Sequence, residues 1–305
     1  VKPGINRLMI RPEHPPSAEP GGIGLVVIAG AGPGAAALVT AETIFWINYC
    51  DCIVYDRLAA EAARRLAPAS AELIDVGKTP GRPSATQEQI NQTLIEQARA
   101  GRLVVRLKGG DPMVFGRGRE EADALDRAGI PCRILPGISA ALAAAAQAGI
   151  PLTDRRCSSS VAFVTGKQDP SSGSAEPDWA ALAGIDTVVI YMGVGSLSDV
   201  VDRLIAAGRP SDTPAATIAT AGTPRCRIVR AALAELPAEV EREGLAPPAV
   251  TIVGAVAGLS RQPSWFERLP LAGKRIVVTR PPEKGEAAAA VLERLGAEAI
   301  LCPAI

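Results

Sequence analysis

From Ile23 onward, short apolar runs alternate with segments of helical periodicity, and that alternation leaves few folds open. GLVVIAG is followed by AALVTAETIFWI, then DCIVYD, a helix from about Ala59, and AELIDVG. Strands buried in a sheet with helices laid over them produce this rhythm, so the chain is expected to be α/β. Thr86 to Ala100 is the clearest helix: Ile90, Leu94 and Ala98 share one face, and Gly101 closes it before the strand of RLVVRLKGG. A helix over Arg119 to Ala128 and the strand of IPCRILPG complete a first domain. An Ala-rich helix then starts around Pro136 to Ala140. Val161 to Thr165, Asp186 to Met192, Ala215 to Ala219 and Arg227 to Val229 are expected to be strands of a second domain, followed by AVTIVGAVAGL. Asp169 to Asp178, rich in Pro, Ser and Gly, is expected to be a surface loop.

The expected organisation is therefore a disordered arm over 1–21, α/β domains over 22–137 and 138–259, and a linker over 260–273. A strand, helix and strand over 274–305 form a unit too small to close its own core. With 48% hydrophobic side chains in 305 residues, there is enough apolar material for two medium cores. The 32 basic and 32 acidic side chains cancel, so no global field draws the chain to nucleic acid or a membrane surface, and an anionic partner has to be held by local clusters. The proline-rich arm contains no apolar core like that of a signal peptide, and Ile138 to Ile150 falls short of the roughly 20 residues that span a bilayer. A soluble, cytoplasmic protein is expected. Cys50, Cys52, Cys132, Cys157, Cys226 and Cys302 lack metal-site or redox spacing, which predicts buried reduced thiols and no metal. The single histidine, His14, lies in the arm, which excludes histidine triads and zinc hydrolase chemistry.

The chemistry is expected at strand ends. The first strand runs into Gly30-Ala31-Gly32-Pro33-Gly34, whose glycines would let the backbone approach a ligand and leave amides free to contact it. A dinucleotide loop would need its third glycine one residue later, and Pro33 interrupts the turn, yet a Rossmann-type oxidoreductase stays open. Asp56 and Arg57 end the second strand, where open α/β sheets bind ligands; Asp56 could equally cap a helix. The third strand ends in Val76-Gly77-Lys78. After the fourth comes RLKGGDPMVFGRGREE, a loop longer and more charged than an ordinary connection, which points to function.

Four blocks in order, GAGPG, VYDRL with VGK, VVRLKGGDPMVFGRGREE with IPCRILPGISA, and AGIPLTDR with SSVAFVTGK, resemble the tetrapyrrole methylases, and the likeness continues through YMG and AGTPRCRIVR to about Leu259. The long third block matches the subgroup that methylates uroporphyrinogen III. The resemblance implies two α/β domains of the tetrapyrrole methylase type with S-adenosyl-L-methionine in the cleft between them, and a homodimer. The implied reaction is two successive C-methylations of uroporphyrinogen III, giving precorrin-2 and S-adenosylhomocysteine. Position by position, it implies that Pro33, Gly109, Gly110, Asp111, Val114, Ser139, Ala140, Met192 and Gly222 hold the cofactor. Asp56 and Lys78 match the proton acceptor and donor, while Arg57, Arg117, Glu120 and Arg155 match residues that hold and deprotonate the macrocycle. Guanidinium forks are natural partners for a polycarboxylate, and an arginine is a poor base, so Arg117 is expected to steer a carboxylate while Asp56 or Glu120 handles protons. The chain departs from the family pattern at Ala35-Ala36, Arg119, Asp154, Thr220-Ala221 and Ala255. A methylase of a later precorrin and a non-catalytic scaffold stay open beside the uroporphyrinogen III reading. The last segment, from Gly273, resembles the opening of uroporphyrinogen-III synthase; about 30 residues of such a domain predict no synthase activity.

Overall fold

The computed structural model describes residues 22–77, 85–167, 176–259 and 263–304. The expected arm, Lys78 and most of the Asp169 to Asp178 loop lie outside them. The chain divides between Ile138 and Ser139 into two compact units, each built on its own five-stranded sheet.

The first unit contains strands β1 (Leu25–Gly30), β2 (Cys52–Tyr55), β3 (Glu72–Asp75), β4 (Leu103–Lys108) and β5 (Cys132–Leu135). They run parallel in the order β3-β2-β4-β1-β5. Helices α1 (Ala41–Tyr49) and α2 (Ala60–Leu66) cover one face, where Val27, Ala29, Ile53, Tyr55, Val105 and Leu107 are buried. Helices α3 (Gln87–Arg99) and α4 (Gly118–Arg127) cover the other, over Val26, Ile28, Cys52, Val54 and Val104. With both faces covered, β1 and β2 read as unbroken apolar runs. A capping box between Thr86 and Gln89 opens α3, and Gly101 at φ +79° follows its last residues. The AALVTAETIFWI segment is not one helix. Ala36–Leu38 is a single 3-10 turn, and α1 starts only where the Thr40 hydroxyl accepts from the Thr43 amide at 3.2 Å. The connections from β1 and β4 leave in opposite directions, so their carboxyl ends flank the crevice in which sheets of this type bind ligands.

The second unit starts with α5 (Ala140–Ala148) and carries β6 (Val161–Thr165), α6 (Trp179–Ala183), β7 (Thr187–Tyr191), α7 (Leu197–Ala206), β8 (Pro214–Ala219), β9 (Arg227–Ala232), α8 (Leu236–Arg242) and β10 (Ala249–Val253). The sheet order is β6-β7-β10-β8-β9, with β6 and β7 parallel and β10 antiparallel to both β7 and β8. The carboxyl ends of β6, β7 and β8 therefore share one edge. The AVTIVGAVAGL run stops being a strand at Gly254, where φ is +146° and a Cβ would sit 2.3 Å from the Asp186 carbonyl oxygen; a 3-10 turn over Ala255–Leu259 follows. Beyond it, β11 (Arg275–Val278), α9 (Pro282–Arg294) and β12 (Glu298–Leu301) form the expected strand, helix and parallel strand. The stretch read as a linker is anchored over its described part: the Trp265 indole donates to the Ala146 carbonyl, Phe266 is buried, and Glu267 pairs with Arg230 at 2.9 Å. Among the described residues no helix is long and apolar enough to cross a membrane.

Only Cys50 and Cys52 of the six cysteines are buried; Cys132, Cys157 and Cys226 are half-buried, and Cys302 is exposed. Burial pushes the Cys50 thiol up to about 12 and the Cys52 thiol to about 11, which leaves both unreactive.

Candidate active site

At the crevice of the first unit the loops after β1 and β4 are stitched together. The Ala31 amide donates to the Lys108 carbonyl at 2.7 Å, Gly32 to Gly110 at 3.2 Å, and Gly110 back to Gly32 at 2.6 Å. Gly30, Gly110 and Gly137 meet backbone to backbone. A Cβ on Gly137 would lie 2.2 Å from the Gly110 carbonyl oxygen, and one on Gly30 would lie 2.5 Å from Gly137 Cα. The glycine loop thus differs from the sequence expectation: the Ala31 and Gly32 amides are engaged within the protein, and Gly30 serves loop-to-loop packing. Nor does a full helix begin after this loop, only the 3-10 turn, so the phosphate site that a Rossmann reading requires is missing.

Asp111 pins the next loop. Its Oδ2 accepts from the Gly137 amide at 3.0 Å and its Oδ1 from Met113 at 2.8 Å, while the Gly118 amide closes the loop onto the Pro112 carbonyl at 2.9 Å. The half-buried Val114 donates its amide to the Asp111 carbonyl, and Met113, Phe115 and Arg117 alternate outward to solvent. Phe115 and Arg117 hold left-handed φ values of 52° and 58°. The other two non-glycine residues with positive φ among those described are Met192 at 54° and Thr220 at 49°, after β7 and β8. Each such conformation costs about 1–3 kcal/mol, and clustering in strand-end loops is characteristic of functional sites.

Of the polar residues implied by the family pattern, Arg117 and Glu120 face each other in a two-pronged pair, Nε to Oε1 at 2.9 Å and one terminal nitrogen to Oε2 at 2.7 Å, both more than half exposed. Hydrogen bonding to Arg117 holds the Glu120 carboxyl below its usual range. Asp56 does not cap α2, whose N-cap is Ala59 without a side-chain bond; its Oδ1 accepts from the Leu58 amide at 3.0 Å and the Ala59 amide at 3.3 Å, fixing the turn that precedes the helix. Arg57 beside it is exposed, and Pro33, Gly109 and Gly110 are half-buried.

Beneath Asp56 lies a cluster that sequence reasoning missed. Glu121 of α4 is fully buried, and its Oε1 accepts from Lys108 at 2.7 Å, Arg106 Nε at 3.2 Å and Gln87 at 3.3 Å, while its buried Oε2 has no hydrogen-bond partner among the described residues. Arg106 continues to Asp56 Oδ2 at 3.4 Å. Burial, reinforced by Arg106, lowers the Lys108 amine from its usual value. The available signal was two cations at alternate positions of an otherwise apolar strand, which places both on one buried face.

In the second unit, Ser139 is the N-cap of α5 without capping it. Its hydroxyl lies 2.6 Å from the Tyr191 hydroxyl, and Tyr191 itself accepts from the Ala141 amide at 3.3 Å, next to Ala140 at the helix start. Tyr191 ends β7, which puts Ser139 and Ala140 at the edge that carries exposed Met192. Gln147, near the other end of α5, accepts from the Gly222 amide at 2.6 Å and donates to the Thr223 carbonyl at 3.3 Å. Tyr191 and Gln147 were not foreseen; no spacing rule marks them. Tyr191→Phe strands the Ser139 hydroxyl and the Ala141 amide, and is expected to lower stability by about 1–3 kcal/mol in urea unfolding. Asp154, where the family pattern has histidine, is paired through both oxygens with Arg156, which holds its carboxyl down to about 2. Arg155 is exposed and makes no ion pair among the described residues. A cavity of about 380 Å³ lined by Asp186, Arg209 and Pro214 opens at the opposite edge of this sheet and includes none of the candidate residues.

Residues 25–237 match the family model of the tetrapyrrole (corrin/porphyrin) methylases. The chain belongs to the tetrapyrrole methylase family. Over 246 residues, 80% of its length, it is 43% identical to the uroporphyrinogen-III C-methyltransferase of Bacillus subtilis and covers 95% of that protein. Over 251 residues, 82% of its length, it is 45% identical to the siroheme synthase of Azotobacter vinelandii, of which it covers 54%. The chain thus spans about half the length of several curated relatives of this methylase. Among solved structures, the uroporphyrin-III C-methyl transferase of Thermus thermophilus in complex with S-adenyl homocysteine matches at 38% identity with a TM-score of 0.65, covering 77% of this chain and all of that one.

Proposed function

We propose that this methylase transfers methyl groups from S-adenosyl-L-methionine to ring carbons of uroporphyrinogen III, twice in succession, giving precorrin-2 and S-adenosylhomocysteine. The observation that carries the reading is local charge in a neutral chain. Exposed Arg57 follows β2 directly after a carboxylate, Asp56, held on both oxygens, and exposed Arg117 lies in the loop after β4, paired with Glu120. A polycarboxylate ligand is what such guanidinium groups fit. The kinship to the Bacillus subtilis and Thermus thermophilus enzymes supports the same substrate.

The residues also suit the methyl donor, which carries an ammonium, a carboxylate, a ribose diol and an adenine. Half-buried Asp111 next to the side-chain-free backbone of Gly109 and Gly110 suits the ammonium or the hydroxyls. Pro33 and Val114 supply apolar walls in the first unit, and cofactor contacts are also assigned to Ser139, Ala140, Met192 and Gly222. When bound, the donor supplies an electrophilic sulfonium methyl. The protein's part is to align a pyrrole carbon with it and to accept the proton the ring then loses. Asp56 is assigned the proton, and Glu120, paired with Arg117, orients that guanidinium. Lys78 is assigned as donor, and Arg155 as a further anchor for the macrocycle.

The Arg117–Glu120 pair is solvent-exposed and worth about 1 kcal/mol or less, so exchanging Glu120 for a substrate carboxylate costs little. Arg117→Ala is expected to raise KM for uroporphyrinogen III by about tenfold or more, one charge-assisted contact, while the dissociation constant for S-adenosyl-L-methionine measured by calorimetry stays within twofold. Equal loss of both would remove Arg117 from the macrocycle. We further read the protein as a cytoplasmic homodimer acting on a small molecule, without nucleic-acid or membrane partners. The β11, α9 and β12 unit is read as the opening of a uroporphyrinogen-III synthase-like domain, a reading supported by its parallel strand-helix-strand form.

A further inference from the structure

We infer that Arg106 is a positioning residue for Asp56, and that the buried cluster of Arg106, Lys108 and Glu121 is retained to aim that carboxylate. The inference rests on the reading of Asp56 as proton acceptor and extends it inward. Arg106 and Lys108, two residues apart on β4, both turn under α4, where Glu121 gathers three donors on one oxygen. The cluster holds two cations and one wholly buried carboxylate, so its second anion is Asp56, 30% exposed at the mouth. Arg106 spans the two. Its Nε is fixed on Glu121, one terminal nitrogen on the carbonyls of Val54 at 3.4 Å and Leu107 at 3.1 Å, and the other reaches Asp56 Oδ2. With Oδ1 taken by the Leu58 and Ala59 amides, the Asp56 carboxylate is clamped from two sides and its plane is set by a guanidinium that is itself anchored in the core.

Stability alone does not account for such a cluster, because buried ion groups are commonly no better than apolar side chains of the same volume. Glu121 Oε2, buried and without a hydrogen-bond partner among the described residues, adds a further cost that packing would not select. A role in orienting the reactive group does account for it, since a small misplacement of a base costs much of its effect.

The test is a double-mutant cycle on turnover with Arg106→Met and Asp56→Asn. Arg106→Met leaves Lys108 and Glu121 as a balanced buried pair, so the fold should survive. If Arg106 acts through Asp56, Arg106→Met lowers kcat about tenfold or more with KM for uroporphyrinogen III and affinity for S-adenosyl-L-methionine within twofold, and adds nothing in the Asp56→Asn background. Multiplicative losses in the double variant overturn the inference. Turnover of Asp56→Asn at the level of the unmodified protein would instead remove the proton-acceptor reading and the inference with it. Should Arg106→Met fail to fold, Arg106→Lys, which keeps the charge but cannot span Glu121 and Asp56, replaces it in the same cycle. Failure of both to fold would make the cluster scaffold and overturn the proposal.

Discussion

Glu121→Ala is expected to destabilise the first unit by about 3–5 kcal/mol, seen as a lower urea midpoint for that unit's transition. The substitution removes the only fully buried carboxylate of the cluster and leaves Arg106 and Lys108 facing each other in the core. Uncompensated buried charge is among the few mechanisms that reach this size in a single substitution. The deficit should depend on pH in a definite direction. Lys108 is already depressed by burial, so the folded variant binds fewer protons than the unfolded chain, and its stability rises as pH climbs towards the usual lysine value. Replacing all three charges, as Arg106→Met, Lys108→Met and Glu121→Leu, should recover most of the stability and none of the turnover. A single Glu121→Ala variant as stable as the unmodified protein would mean the cluster is hydrated rather than buried.

Gly137→Ala is the second large effect. The added methyl would meet only backbone, the Gly110 carbonyl oxygen at 2.2 Å and Gly30 Cα at 2.7 Å, and no rotamer relieves that. The loops after β1, β4 and β5 must move apart, which breaks the Gly32 and Gly110 ladder and frees Asp111 from the Gly137 amide. A loss of about 3 kcal/mol, the upper end of ordinary overpacking, is expected, together with at least a tenfold weaker affinity for S-adenosyl-L-methionine by calorimetry. Gly195→Ala is the matched control: nothing lies within 4 Å of its Cβ and its φ is ordinary, so both quantities should be unchanged. Unaltered cofactor affinity in Gly137→Ala would separate that crevice from the cofactor site.

Much of this architecture is legible in the residues. Val161 to Thr165 reads as a strand from its β-branched and aromatic residues although it lies at the sheet edge with Phe163 exposed, and α3 declares itself through its stripe and Thr86. Reading fails where a single backbone event decides the outcome. Thr40 restarts the helix after a 3-10 turn, and Gly254 ends β10 because only glycine passes over the Asp186 carbonyl. Phe115, Met192 and Thr220 adopt glycine-like φ values that no residue-type preference suggests. The polar site was legible only in its outer layer. Arg57, Arg117 and Arg155, proposed as anchors for the substrate, are exposed, whereas the Arg106, Lys108 and Glu121 layer depends on α4 packing over β4, a tertiary fact absent from the motif.

The most direct test is anaerobic incubation of the protein with uroporphyrinogen III and S-adenosyl-L-methionine, followed by mass and absorbance. The account predicts a product carrying one and then two added methyl groups, with S-adenosylhomocysteine formed in step. Binding of S-adenosyl-L-methionine by calorimetry with no methylated product would contradict the substrate assignment, and absence of binding would contradict the methyltransferase itself.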